Sequence, residues 1–176
     1  PQAVTEVCFG DPPLIVLTGL VGVGKSFLAN AICGVSVFES DSSIDAVTDF
    51  TSIAETRWFG DPSQGRVNVS DTPGMADATG DSRHIFDMIN QLASRGRINA
   101  FGLVLNSQQC RMDKSQMTLL QNMFAAFGPD LLDVLLIVFN RWYTDKAHGG
   151  PKAKSKRTRE WTKAICDALG IDLRDR

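Results

Sequence analysis

The run Gly19-Leu20-Val21-Gly22-Val23-Gly24-Lys25-Ser26 sets glycines, a lysine and a hydroxyl at the spacing G-x-x-x-x-G-K-S/T, with Phe27 directly after it. Glycines let a backbone curl until several N–H groups face one anion. Lys25 adds a full positive charge, and a helix beginning there adds the partial charge of its N-terminus. Ser26 offers an oxygen to a divalent cation, which beside a nucleotide is Mg2+. The chemistry implied is capture of a nucleoside phosphate. A glycine-rich turn that binds nothing is the alternative, and the flanks speak against it. A continuous apolar run, Leu14 to Thr18, leads in, and Lys25 to Cys33 reads as a helix stopped near Gly34.

A second cluster, Asp71-Thr72-Pro73-Gly74, ends the strand-like stretch Val67-Asn68-Val69-Ser70, about 45 residues beyond Lys25. An acid at the tip of a strand beside the loop holds Mg2+ through water, and the Gly74 N–H can meet a γ-phosphate. Alone, Asp-Thr-Pro-Gly is as readily a turn. With the first motif it points to a GTPase rather than a kinase. Between the two, Thr48 can reach Mg2+ and γ-phosphate and so order its loop only in the triphosphate state. Thr51 is an alternative, and a merely solvated threonine another. Met75 stands where many GTPases carry a glutamine that orients water, so intrinsic hydrolysis is expected to be slow or completed by another group.

The elements that must hold these residues alternate between short apolar runs and helical patterns, the rhythm of βα units around a parallel sheet. Residues 35–51 read as a long polar loop. Ser52 to Phe59 and Arg66 to Ser70 flank a turn and predict an antiparallel hairpin. Helices are expected from Ser82 to Arg95, from an Asp113 cap to Phe127, and from Arg157 to Leu169. Phe101 to Leu105 and Leu132 to Phe139 are expected core strands. The fold class is α/β: a three-layer P-loop G domain with a mostly parallel sheet and helices on both faces. Residues 1–12 read as an N-terminal arm and 13–176 as one domain. Because the chain starts at Pro1 and shows no closing strand, missing ends are expected.

Composition narrows the class. At 176 residues with 43% hydrophobic content and a net charge of −2, the chain has one domain's core and no global pull toward nucleic acid. Cys8, Cys33, Cys110 and Cys166 form no C-x-x-C pair, so a reducing, cytoplasmic compartment is expected rather than a zinc or disulfide framework. Asn68-Val69-Ser70 matches a glycosylation triplet inside a predicted strand and is read as chance. No apolar run nears bilayer-spanning length.

Several segments together resemble the septin-related branch of GTPases, most closely the immunity-associated nucleotide-binding (GIMAP-like) family. They are Leu17 to Ile32, Val47-Thr48, Val69 to Gly74, the box Leu103 to Asp113 and Met123 to Gly128. The resemblance implies a GTP/GDP switch whose triphosphate form pairs as a homodimer, with hydrolysis completed across the interface. Arg111 lies where such relatives place a trans-acting arginine; a surface arginine without a role is the alternative, and Arg83 and His84 are weaker candidates. Guanine selection in GTPases usually uses N/T-K-x-D. Here Asn140-Arg141-Trp142 is followed by Tyr143 in place of the acid, and Asp145 sits two residues late. Trp142 or Arg141 could stack on the purine. Guanine is the favoured base, with adenine or weak selectivity the alternative. The stretch 146–159, with Lys152, Lys154, Lys156, Arg157 and Arg159, reads as a solvated helix start, a frame for the nucleotide, or a contact for acidic membrane. The rival function is a septin-like scaffold that binds GTP and assembles without turnover; a P-loop ATPase or kinase comes third.

Overall fold

Leu14–Thr18 forms β1, buried at every position, as a strand in mid-sheet must be. The computed structural model describes residues 11–39, 51–74, 92, 97–109, 112–142 and 151–171. After β1 come α1 (Lys25–Cys33), β2 (Ser52–Arg57), a 3-10 turn (Trp58–Gly60), β3 (Arg66–Asp71) and β4 (Ile98–Asn106). Then follow α2 (Lys114–Phe127), one helical turn (Leu131–Val134), β5 (Leu135–Asn140) and α3 (Pro151–Leu169). The sheet order is β2-β3-β1-β4-β5, with β2 antiparallel to β3 and the other pairs parallel.

Alternation along β1 sends its side chains to two cores. Leu14 and Val16 join Phe101, Leu103 and Leu105 of β4 under α2 and α3, where Leu120, Met123, Trp161 and Ile165 are buried. Ile15 and Leu17 join Val67, Val69 and Val104 under α1, against Ala29 and Cys33. Helices therefore cover both faces of the sheet, and the expected three-layer α/β architecture is present. Of the helix predicted over 82–95 only Leu92 is described; it is helical and fully buried in the first core.

Several boundaries move. The predicted strand from Leu132 begins instead at Leu135, because Gly128 turns the chain at φ +70° and Leu131–Val134 makes a helical turn that buries Leu131 first. Phe59 is not in a strand: β2 ends at Arg57 and Phe59 takes φ +56° in the turn. The last helix starts at Pro151 rather than Arg157, since proline suits the first turn of a helix, which has no need of its N–H. Asp113 caps α2 as expected, in a reciprocal box with Gln116. Beyond α1, Asn30 accepts from the N–H groups of Val37 and Phe38 and donates to the Phe38 carbonyl, each at 2.8 Å. That clamp seats Phe38 in the core, within a stretch read only as loop. No helix among the described residues is long and apolar enough to cross a membrane.

Gly34 ends α1 at φ +70°, and a β-carbon there would lie 2.3 Å from the Phe59 carbonyl oxygen. Gly34→Ala should therefore lower unfolding free energy by at least about 2 kcal/mol, read by urea denaturation. A loss under half of that would mean that the turn yields without cost.

Candidate functional site

Parallel pairing of β1 with β3 sets Leu17 beside Asp71, so the glycine loop after β1 and the D-x-x-G turn leave the sheet at the same end. Register also fixes the face. Asp71 points the same way as Leu17, toward α1, and so meets the first residues of that helix. Lys25 is 7% exposed and Asp71 1%. The Lys25 ammonium donates to the Leu20 carbonyl at 3.1 Å. Ser26 and the Thr72 main chain lie close enough to the Asp71 carboxylate to favour its charged form. One carboxylate oxygen, Oδ1, is buried with no hydrogen-bond partner among the described residues. Burial pushes the Asp71 carboxyl above its usual range, against the opposing pull of Ser26, Lys25 and Thr72. Burial likewise lowers Lys25, against the pull of Asp71.

Ser26 and Asp71 are hard oxygen donors from two elements, beside a buried lysine and a helix N-terminus. An orphaned carboxylate oxygen next to a hydroxyl suits a Mg2+ ion that carries most of its other ligands as water and phosphate. Gly74 lies directly against the glycine loop, since a β-carbon on it would sit 2.6 Å from Val21 Cγ2. Thr72 was not singled out by sequence. Its hydroxyl donates to the Leu17 carbonyl at 2.8 Å, tying the D-x-x-G turn to the last turnings of β1. Nothing in the local pattern signals that bond, because its partner is 55 residues away.

On the other side of the loop, the Asn140 amide donates to the carbonyls of Val23 (3.0 Å) and Gly24 (3.4 Å), while its oxygen accepts from the Arg141 N–H. Gly24 takes φ +90°, and a β-carbon there would lie 2.6 Å from that amide nitrogen, so glycine is required. Asn140 thus braces the glycine loop. Arg141, at φ +57°, runs its guanidinium along Gly24. Trp142 turns the other way, packing on Phe139 with centroids 6.0 Å apart and lying under Lys154 (5.5 Å) and Arg157 (5.9 Å) of α3. Of the two side chains considered for stacking on a purine, Arg141 is the one beside the loop. Phe27, in the first turn of α1, is exposed at 69% and Val21 of the loop at 57%.

Thr48, Met75, Arg83, His84, Arg111, Tyr143 and Asp145 lie outside the described residues. Thr51, the alternative to Thr48, is half-buried just before Ser52, which pairs with Asp71. Gln116 is buried and bonds Gln109 and Asp113, which flank Arg111 in the chain. Among the described residues no three His, Cys, Asp or Glu side chains cluster as metal ligands.

Residues 14–149 match the AIG1 family. The Arabidopsis thaliana immune-associated nucleotide-binding protein 3 is 33% identical over 127 residues, 71% of this chain and 37% of that protein. Protein 7 of the same series is 32% identical over 127 residues, 71% of this chain and 40% of that protein. The chain thus spans about two fifths of the length of these relatives. Among solved structures, A. thaliana Toc33 in complex with Mg2+ and GMPPNP superposes with a TM-score of 0.72 at 19% identity, over 93% of this chain and 65% of that one. A structure from work on dimerisation and GTPase activity of atToc33 and psToc159 gives 0.74 at 18% identity, over 94% and 64%.

The raised Asp71 carboxyl carries a pH signature. Unfolded, the group titrates near its ordinary value; folded, it holds its proton to higher pH. Between the two values unfolding releases a proton, so the nucleotide-free protein loses stability as pH rises through that interval. Asp71→Asn removes this component. The variant's stability minus that of the wild type should grow with pH from about 4 upward in urea denaturation. Parallel curves would show that the carboxylate is not desolvated.

Proposed function

The chain belongs to the AIG1 family, and from that premise we propose that it is a guanine-nucleotide switch, binding GTP and GDP with Mg2+ and hydrolysing GTP slowly. The observation that carries the proposal is the convergence of Lys25, Ser26 and Asp71 in one buried site at the end of the parallel strands. In this reading the amides of Gly19 to Gly24 and the Lys25 ammonium hold the phosphates, and Ser26 and Asp71 hold Mg2+. Bound Mg2+ would neutralise charge on the β- and γ-phosphates. Gly74 and Thr48 sense the γ-phosphate, and Arg111 acts across a homodimer. Support for the ligands comes from Toc33, crystallised with Mg2+ and GMPPNP and with GDP and Mg2+. Support for pairing comes from the statement that dimerisation is important for the GTPase activity of atToc33 and psToc159. Asn140 braces the loop, Arg141 stacks on the base, and Asp145 reads its edge.

Two measurements test this. In competition against labelled GDP with Mg2+, GTP should displace the label at least about tenfold better than ATP; equal potency would remove the guanine assignment. Phosphate release per molecule should rise with protein concentration. A flat rate would remove the trans arginine, and assembly with no release would favour the scaffold reading.

A further inference from the structure

The basic stretch before and within α3 sorts into two groups. Lys156 and Lys163 pair with Glu160 and Asp167 on the exposed face, and Arg159 donates to Ser155. Such solvated contacts contribute little. Lys154 and Arg157 instead turn inward over Trp142. Arg157 goes further: its guanidinium donates to the main-chain carbonyl of Ser107, just past the end of β4. Ser107 is buried, and both its N–H (2.9 Å) and its hydroxyl donate to the Asn140 carbonyl at the end of β5. The Asn140 amide then reaches Val23 and Gly24 of the phosphate loop. Hydrogen bonds therefore run unbroken from α3, across the ends of two strands, to the loop that cradles phosphate.

We propose that Arg157 is a positioning residue of the nucleotide site, acting through Ser107 and Asn140 on the phosphate loop. The inference rests on the guanine-nucleotide reading above. A charge-assisted bond to a strand-end carbonyl is stronger and more directional than a neutral one, and the Trp142 ring holds the guanidinium in place. Ser107 so fixed presents two donors to Asn140. Asn140 so fixed sets Gly24, where α1 begins, and through the Arg141 N–H sets the base-side loop. Cutting the first link lets Asn140 drift and loosens both sides of the bound nucleotide at once. Neutralising Lys156, the preceding residue on the exposed face, leaves this path intact.

The test is release of N-methylanthraniloyl-GDP from the whole chain with Mg2+. Arg157→Ala should release it about tenfold faster than wild type with little change in association rate. Arg157→Lys should restore most of the difference, because an ammonium still donates to the Ser107 carbonyl, and Lys156→Ala should match wild type. Should the alanine variant fail to fold, Arg157→Met keeps the side-chain stem and tests the same bond. Release within about twofold of wild type, even with a lowered melting temperature, would overturn the proposal and leave a purely structural arginine. Equal acceleration in Lys156→Ala would overturn it in favour of general charge. Failure of the wild type to retain the labelled GDP would instead remove the guanine-nucleotide reading itself.

Discussion

Lys25 and Asp71 are opposite charges buried together where the parallel strands end, and for both of them loss of water outweighs their mutual attraction. Burying a charge of this kind costs several kcal/mol per ion before partners are counted, in a domain whose whole stability is about 5–15 kcal/mol. The surroundings offset only part of that cost. The Leu20 carbonyl accepts from the Lys25 ammonium, and one Asp71 oxygen has no partner among the described residues. On the proposed reading these charges await ligands of opposite sign: phosphate for the lysine, a divalent cation for the carboxylate.

The rest of the fold serves that placement. Parallel pairing brings the β1 and β3 ends together, and the Thr72 bond to Leu17 locks the junction. On the far side, β4 and β5 end in register at Asn106 and Asn140, which brings Asn140 within reach of the loop. The two buried clusters, one on each face, keep the strand ends from shifting relative to α1. A fold similarity to Toc33 at under 20% identity is understandable on these terms, since register and strand-end geometry tolerate wide change in the side chains around them.

Sequence made the glycine loop's flanking strand and helix legible, because each is written in consecutive residues. The D-x-x-G turn was legible for the same reason, as was the Asp113 cap. What local pattern could not supply were pairings across long separations. Asn140 looked like a base contact by its place after an apolar strand, yet its amide is bonded 117 residues back. Arg157 was one charge in a basic run until the fold turned it toward Ser107. The start of β5 was misread because apolar residues run from Leu131 to Phe139, broken only by Asp133, across a helical turn and the strand that follows. Apolar runs that short carry no period to tell the two apart.

The most direct measurement is calorimetric titration of GDP, with and without Mg2+, into the wild type and Lys25→Ala. Preorganised opposite charges at the strand ends predict measurable binding to the wild type, tighter with Mg2+, and none to the variant. Equal affinity in the two proteins would contradict a phosphate site built around the buried lysine.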